Sequence, residues 1–273
     1  MRHHHPAEVT MAEAASPIPF ERRGPVGWLT LDRPARRNAI DAATHLAWRE
    51  ALTAVEADRA IRALVITGAG GAFCSGQDLA ERRDMLAEGE VDLQASLVEN
   101  YSPLIRRLIA LPMPVIAAVG GVAAGAGMGL VLAADIVLAG ASARFQLPFV
   151  KVGLGPDCGL SWTLARQVGL NRALALLLTG DAFDADEAFA WGLVSRVCPD
   201  EALVAEAEAL AARLARGPRA AIAAIKRRVR EAADQTLDEA LAAEAIMQGE
   251  LGLDPDYREA VTAFTSKREP RFR

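Results

Sequence analysis

Short runs of apolar, often β-branched residues alternate along residues 19–200 with segments whose apolar positions recur at helical spacing. The runs are bounded by glycine, proline or aspartate, which is typical of strands. The predicted strands are residues 26–31, 63–67, 115–119, 136–139 and 194–197. The predicted helices are residues 44–57, 93–110, 128–134 and 158–168. Strands that alternate with helices indicate an α/β core.

The same pattern divides the chain into three regions. Residues 1–18 carry Ala, Pro, Glu and Ser with little periodicity, and they are predicted to form a disordered leader. Residues 19–200 hold the alternating strands and helices of the α/β core. Residues 201–273 have a helical pattern only, with breaks at Gly217-Pro218 and Asp254-Pro255. A helical region after an α/β core suggests a role in packing or oligomerisation.

Composition and charge restrict the class of protein. Of the 273 residues, 52% are hydrophobic and 24% are charged, so a large core can form and global disorder is not expected. The net charge of −5 argues against a nucleic-acid surface, and glycine and aspartate interrupt the apolar stretches too early for a membrane span. Three cysteines, an odd number, predict free thiols in a cytoplasmic protein.

The supply of histidine limits the possible chemistry. Three of the four histidines, His3, His4 and His5, lie in the N-terminal tail, as a natural leader or a tag remnant. His45 is the one histidine within the predicted core. A Ser-His-Asp triad or a multi-histidine metal site therefore lacks the residues it needs, and no metal site is predicted.

Two glycine-rich loops each follow a predicted buried strand. The first is residues 67–79 (TGAGGAFCSGQDL) and the second is residues 119–130 (VGGVAAGAGMGL). Neither has the glycine spacing of a dinucleotide site, because Phe73 and Leu130 stand where glycine is needed. The second loop would begin a helix, where unpaired N–H groups favour an anion. The alternatives are a tight strand-to-helix turn for the first loop and close helix–sheet packing for the second.

A third glycine-containing segment, residues 153–159 (GLGPDCG), precedes a predicted helix. Asp157 is positioned like a helix N-cap, and this structural role stays open beside a catalytic one. Cys158 is interpreted as a small buried residue, since no histidine is nearby in the sequence to activate its thiol.

In order and spacing, these three segments resemble the crotonase (enoyl-CoA hydratase/isomerase) superfamily, and the resemblance covers nearly the whole chain. Further motifs that carry it are residues 28–34 (WLTLDRP), 38–39 (NA), 188–194 (AFAWGLV) and 263–268 (AFTSKR). The resemblance implies an α/β spiral of ββα units with a C-terminal helical region, assembled as a homotrimer or a dimer of trimers. It also implies an acyl-CoA substrate, with coenzyme A as part of that substrate and no permanently bound cofactor.

The resemblance further implies roles for individual residues. The backbone N–H groups of Gln77 and Ala126 would be the donors of an oxyanion hole for the thioester oxygen. The glycines of these oxyanion loops are Gly76, Gly125 and Gly127. Because the donors are backbone groups, replacement of the Gln77 side chain is expected to keep most of the activity. Phe264 and Lys267 match residues near the coenzyme A of the same or a neighbouring subunit; the alternative for Lys267 is a solvated tail charge.

One departure from the hydratase pattern is informative. Hydratases of the family carry two glutamates that hold and deliver water, and Gly129 and Phe149 stand at those positions. Asp157 stands where isomerases and the dehalogenase branch have an active-site aspartate. One carboxylate beside a stabilised enolate can move a proton between carbons, whereas hydration also needs groups that orient water.

Four local motifs are most similar to the ring-1,2-epoxyphenylacetyl-CoA isomerase branch of the superfamily. They are residues 76–79 (GQDL), 121–127 (GVAAGAG), 156–159 (PDCG) and 256–259 (DYRE). The expected function is therefore an acyl-CoA isomerase in which Asp157 is the proton shuttle. An enoyl-CoA hydratase and a non-catalytic CoA-binding relative remain as alternatives.

Overall fold

The computed structural model describes residues 15–89 and 91–273. Within them the strands are β1 (Phe20–Arg23), β2 (Val26–Leu31), β3 (Ala63–Gly68), β4 (Ala72–Cys74), β5 (Val115–Val119), β6 (Val122–Ala124), β7 (Ile136–Gly140), β8 (Arg144–Gln146), β9 (Ala182–Asp184) and β10 (Arg196–Cys198). The helices are α1 (Ala42–Ala57), α2 (Leu79–Glu88), α3 (Leu93–Ser96), α4 (Ser102–Ala110), α5 (Ala126–Ala133), α6 (Leu160–Val168), α7 (Leu170–Thr179), α8 (Ala185–Ala190), α9 (Leu203–Ala215), α10 (Arg219–Ala232), α11 (Leu237–Gly252) and α12 (Pro255–Thr265). A π-helical turn, Leu97–Tyr101, joins α3 to α4.

The strands form two sheets that share one winding pattern. The larger sheet has the order β1-β2-β3-β5-β7-β10 and the smaller has the order β4-β6-β8-β9. Three times in succession the chain passes from a strand of the large sheet to a strand of the small sheet and then into a helix: β3-β4-α2, β5-β6-α5 and β7-β8-α6. The predicted spiral of ββα units is therefore confirmed.

The pairing of parallel strands explains which faces are buried. Strands β2, β3, β5, β7 and β10 are parallel neighbours, so both faces of the large sheet need cover. Leu64 and Ile66 point into the main core, whereas Ala63 and Val65 point into a second core beneath α9, as the two-residue period of a strand requires. Helix α9 thus belongs to the packing of the large sheet.

The predicted strands agree closely with the structure except at the end of the core. Residues 26–31 and 115–119 form strands with the predicted bounds. The strand predicted at residues 194–197 is instead Arg196–Cys198, because the N–H groups of Leu193 and Val194 both donate to the carbonyl of Ala188 and close the end of α8. The short strands of the small sheet were not predicted, since three residues are too few to reveal a period.

The packed core begins earlier than the predicted boundary at residue 19. Ile18 is 2% exposed within the main core, and the carbonyl of Pro17 accepts a hydrogen bond from the N–H of Asp32 at 2.9 Å. The remainder of the predicted leader, residues 1–14 with His3, His4 and His5, lies outside the described residues.

The C-terminal region is helical and is anchored to the core through Asp135. The carboxylate of Asp135 lies 2.8 Å from Lys226 Nζ and 2.7 Å from an Arg230 nitrogen, and it accepts the N–H of Val115 at 2.8 Å. Helix α10, which carries both cations, is therefore held against the strand that begins at Val115. In residues 15–89 and 91–273 no helix has the length and apolar character that a bilayer crossing requires.

Candidate active site

The two glycine loops meet because β4 and β6 are neighbours in the small sheet. Gly76 has a φ of +91°, and a Cβ at this position would lie 2.9 Å from the carbonyl oxygen of Ala124 and 3.4 Å from the nitrogen of Ala126. A Cβ at Gly127 would collide with the backbone of Cys74. These close approaches require glycine, and they bring the first loop against the start of α5.

The backbone around Gln77 is oriented by a bridge to Ile40. The N–H of Ile40 donates to the carbonyl of Gly76, and the N–H of Asp78 donates to the carbonyl of Ile40, each at 2.8 Å. Peptide groups in an extended chain alternate in direction, so the N–H of Gln77 is directed away from Ile40. Gly76, on the same loop, packs against the residues that begin α5.

Ala126 begins α5, with Gly125 in the N-cap position at a φ of +53°. The first N–H groups of a helix have no partner within that helix, and they carry the positive end of its dipole. All eight residues of α5 are buried, so this end of the helix is fixed in the core. The structure therefore brings the loop that carries Gly76 and Gln77 against the residues Gly125, Ala126 and Gly127 at the start of α5.

The first glycine loop is held by Asn38, a buried residue that the sequence offered only as part of a motif. Asn38 is 1% exposed and has a φ of +57°, a conformation that Asn tolerates better than most residues. Its Nδ2 donates to the carbonyls of Ala69 and Ala72 at 2.9 and 2.6 Å, and its Oδ1 accepts the N–H of Arg33 at 2.8 Å. Two hydrogen bonds from this side chain thus hold the loop that leads to Gly76, and the third connects the side chain to Arg33.

Asp157 is not a helix cap. Helix α6 begins at Leu160, its N-cap residue is Gly159, and no side chain caps it. Asp157 Oδ1 is buried, and among the described residues no group donates a hydrogen bond to it. Burial raises the pKa of the Asp157 carboxyl, while hydrogen bonds from the Cys158 thiol and the local backbone oppose that rise. A half-buried carboxyl with a raised pKa is suited to accept and release a proton.

The segment that carries Asp157 packs directly against α5. Cys158 has a φ of +51°, and a Cβ at Gly129 would collide with Cys158 Cβ and lie 3.4 Å from its Sγ. The position at which hydratases carry their first glutamate is therefore closed by Cys158. Phe149, at the second glutamate position, is buried in the main core. Burial and the neighbouring Asp157 charge both raise the pKa of the Cys158 thiol, which agrees with its interpretation as an inert residue.

The Gln77 side chain has three polar partners that the sequence did not reveal. Gln77 Oε1 accepts a hydrogen bond from the Tyr101 hydroxyl at 2.5 Å and from Arg82 at 3.3 Å. Its Nε2 donates to Glu81 at 3.2 Å. The partners lie up to 24 residues away, and no local spacing signals such a contact.

His45 lies beside this network and is neutral at pH 7. Its ring meets the ring of Tyr101 edge-on, with the centroids 4.4 Å apart. Burial, together with the positive charges of Arg49 and Arg82, lowers the pKa of His45 to about 4. The structure thus gives this histidine a packing contact rather than a charged role.

Phe264 and Lys267 lie at the C-terminal end of α12 and do not join the other predicted site residues within the chain. Phe264 is 85% exposed, and Lys267 adopts a φ of +53° directly after the helix, where its N–H donates to the carbonyl of Phe264. Within the part of the chain that the structure describes, neither residue has a hydrogen bond to the glycine loops. Their predicted contact with coenzyme A remains a prediction.

Comparison with known proteins identifies the family. Residues 21–273 match the enoyl-CoA hydratase/isomerase family. The chain is 46% identical over 244 residues to the 1,2-epoxyphenylacetyl-CoA isomerase of Escherichia coli strain K12, covering 89% of this chain and 93% of that protein. It is 47% identical over 246 residues to a Rhodobacter capsulatus protein named "Probable enoyl-CoA hydratase", with the same coverages.

Solved structures agree with this assignment. The crystal structure of an enoyl-CoA hydratase from Polaromonas sp. JS666 superposes with a TM-score of 0.89 at 37% identity, covering 94% of this chain and 99% of that one. The chain therefore belongs to the enoyl-CoA hydratase/isomerase family and has the crotonase fold.

Proposed function

We propose that the protein is an acyl-CoA isomerase that stabilises a thioester enolate with the N–H groups of Gln77 and Ala126 and moves a proton with Asp157. Two observations together carry this proposal: the buried carboxylate of Asp157, and the lack of space for a glutamate at position 129. Asp157 Oδ1 is buried without a partner among the described residues, and Cys158 fills the space beside Gly129. The 46% identity to a 1,2-epoxyphenylacetyl-CoA isomerase supports the same choice.

The reaction requires the removal and return of one proton. The Asp157 carboxylate takes a proton from the carbon next to the thioester, and the electron pair of the broken C–H bond moves onto the thioester oxygen. The N–H groups of Gln77 and Ala126 stabilise this negative oxygen, and each such donor typically contributes a factor of ~10²–10³ to the rate. Return of the proton to a different carbon completes the isomerisation, so no water or separate cofactor is consumed.

An enoyl-CoA hydratase is the second candidate, because the Rhodobacter capsulatus relative carries that name at 47% identity. Against it stand Gly129 and Phe149, which cannot accept or donate a proton. A non-catalytic CoA-binding protein is disfavoured by Asp157, because a buried carboxylate oxygen without a hydrogen-bond partner among the described residues does not help a scaffold to fold.

Two substrates separate these candidates. We expect no hydration of crotonyl-CoA above the background rate and a measurable migration of the double bond in a 3-enoyl-CoA. Crotonyl-CoA hydration on the order of 10 per second would overturn the isomerase proposal, and binding of both thioesters without turnover would favour the scaffold. A panel of aliphatic and aromatic acyl-CoAs, including a ring epoxide, then identifies the acyl group.

We further propose that the subunits assemble as a trimer or a dimer of trimers in the cytoplasm. The C-terminal helices carry exposed large apolar side chains, among them Leu237, Ile246, Leu253 and Phe264. Several such residues in one region are typical of a protein–protein contact surface. In such an assembly Phe264 and Lys267 would contact the coenzyme A of the same or a neighbouring subunit.

A further inference from the structure

We propose that Tyr101 is a positioning residue of the oxyanion hole, which it orients by holding the side chain of Gln77. This inference rests on the proposed function at one point, the role of the Gln77 N–H as a donor to the thioester oxygen. The hydroxyl of Tyr101 donates to Gln77 Oε1 at 2.5 Å, a short hydrogen bond between neutral groups. Tyr101 is 4% exposed, so water does not compete for this hydrogen bond.

The position of Tyr101 in the fold makes this contact rigid. It ends the π-helical turn Leu97–Tyr101, and single π-turns inside helices often occur at functional sites. Its ring is held edge-on against His45 at 4.4 Å, on a helix whose N-terminus is capped by Asp41. The hydroxyl of Tyr101 therefore reaches Gln77 from elements that are packed into the core.

Two further contacts make the Gln77 side chain a rigid support for its own backbone. Arg82 donates both to Gln77 Oε1 at 3.3 Å and to Ser96 Oγ at 2.6 Å, and Gln77 Nε2 donates to Glu81 at 3.2 Å. With the amide oxygen and the amide nitrogen both engaged, the side chain cannot rotate without breaking several hydrogen bonds. The bridge to Ile40 sets the direction of the Gln77 N–H, and these contacts restrict the remaining motion of the peptide between Gly76 and Gln77.

The Tyr101 hydroxyl is able to donate to Gln77 at any pH at which the protein is folded. Burial raises the pKa of this hydroxyl, and the charges of Cys158 and Asp157 raise it further. The hydroxyl thus stays protonated and remains a hydrogen-bond donor throughout the working pH range.

The expected effect falls on kcat rather than on substrate binding. A donor that stabilises the enolate more than the ground-state thioester accelerates the chemical step, and a small misplacement weakens mainly that step. Tyr101→Phe keeps the ring and its contact with His45 but removes the hydroxyl. We expect kcat to fall about 10-fold, less than the ~10²-fold loss on removal of one oxyanion donor, with KM changed less than about twofold.

A double-mutant cycle with Gln77→Ala distinguishes positioning from direct action on the substrate. If Tyr101 acts through the Gln77 side chain, Gln77→Ala loses about the same factor, and the double variant loses no more than either single variant. Additive losses would overturn the proposal, as would a Tyr101→Phe variant with full kcat. Tyr257→Phe is the matched control, because Tyr257 is the second of two tyrosines, is 57% exposed and is expected to show no effect.

The carbonyl stretching frequency of a bound acyl-CoA provides a readout that does not depend on turnover. Hydrogen bonds in an oxyanion hole lower this frequency, and Tyr101→Phe is expected to reverse part of that shift. If the wild-type protein itself produces no shift, the oxyanion-hole assignment in the proposed function is wrong. If the wild-type shift is present and Tyr101→Phe and Gln77→Ala both retain it in full, only the role of Tyr101 is wrong.

Discussion

The two sides of the site are constructed in opposite ways. On the oxyanion side, Asn38 and the Gln77 side chain form several hydrogen bonds each, and the loops meet through glycines. On the proton-transfer side, Asp157 Oδ1 is buried without a partner in the described part of the chain, and Cys158 adopts a positive φ. An unpaired buried polar group costs about 1–3 kcal/mol, a cost that native proteins tolerate mainly where function requires it.

This difference predicts how the two sides respond to mutation. Changes on the oxyanion side remove hydrogen bonds that also hold the fold, so stability and rate are expected to fall together. Changes to the Asp157 carboxylate affect a group whose Oδ1 has no hydrogen-bond partner among the described residues, so the rate is expected to fall with little loss of stability. Measuring both rate and stability for substitutions on each side tests this difference between the two sides.

The largest expected effect is that of Asp157→Asn on the rate. The amide has nearly the shape of the carboxylate but cannot accept the proton, so we expect a loss of roughly 10²-fold or more, the usual scale for a general base. Solvent-deuterium exchange at the carbon next to the thioester is expected to vanish with the activity. Binding of the thioester is expected to stay near the wild-type value, and the thermal midpoint is not expected to fall.

Asp181→Asn is a matched control for this variant. The Asp181 side chain is 73% exposed, and its ion pair with Lys151 is long at 3.8 Å. It is expected to retain full activity and exchange. An Asp157→Asn variant that kept its turnover and its exchange would remove Asp157 from the mechanism, because a cap role is already excluded by the start of α6 at Leu160.

The next effect in size is that of Asn38→Ala on stability. The substitution leaves the carbonyls of Ala69 and Ala72 without their donor in a buried place, and it puts alanine at a φ of +57°. We expect a loss of about 2–4 kcal/mol in the free energy of unfolding, measured by urea titration. A fall in kcat of about 10-fold is expected as well, because Asn38 holds the loop that leads to Gly76.

Asn171→Ala provides the comparison for Asn38→Ala. Asn171 is exposed on α7, so its loss is expected to change the free energy of unfolding by less than about 0.5 kcal/mol. If Asn38→Ala lowered the rate without lowering stability, the hydrogen bonds of Asn38 would not stabilise the fold, and the expected link between rate and stability on the oxyanion side would be wrong.

Much of this architecture was predictable because it rests on local patterns. Long buried strands such as Val26–Leu31 and Val115–Val119 reveal themselves by runs that are wholly or mostly apolar, and both agree with the structure. The glycines at positions 76, 125 and 127 were recognisable as an ordered set, and the structure brings them together. The repetition of ββα units was implied by the family resemblance and not by any internal sequence repeat. The units share the same order and connection of strands and helices, but their residues do not recur.

The features of the site that the sequence did not reveal depend on contacts between residues that are distant in the chain. Asn38 and Tyr101 are polar residues without a local signature, and their roles emerge only when Ala72 and Gln77 lie beside them. For the same reason the Gln77 side chain was expected to be dispensable, whereas the structure gives it three partners and we now expect a partial loss. The N-cap interpretation of Asp157 was wrong because the N-cap residue of α6 is Gly159, which has a φ of +77°.

The smallest effect is a pH dependence of stability that belongs to Asp157 alone. Burial raises the pKa of this carboxyl in the folded protein above its ordinary value of 3.8. At pH values between 3.8 and the raised pKa, the folded protein holds a proton that the unfolded chain has released. The wild-type free energy of unfolding therefore falls as the pH rises through this window.

Asp157→Asn cannot titrate, so the stability of this variant relative to the wild type is expected to increase from pH 4 upward and to level off above the raised pKa. Urea titrations of both proteins at a series of pH values measure this difference. A difference that stayed flat or declined with pH would mean that the fold stabilises the Asp157 carboxylate, and the contrast between the two sides of the site would be lost. Because a base must be ionised to act, kcat/KM is expected to rise with pH around the raised pKa. If the midpoint of this rise coincided with the pH at which the stability difference levels off, one carboxyl group would be the source of both effects.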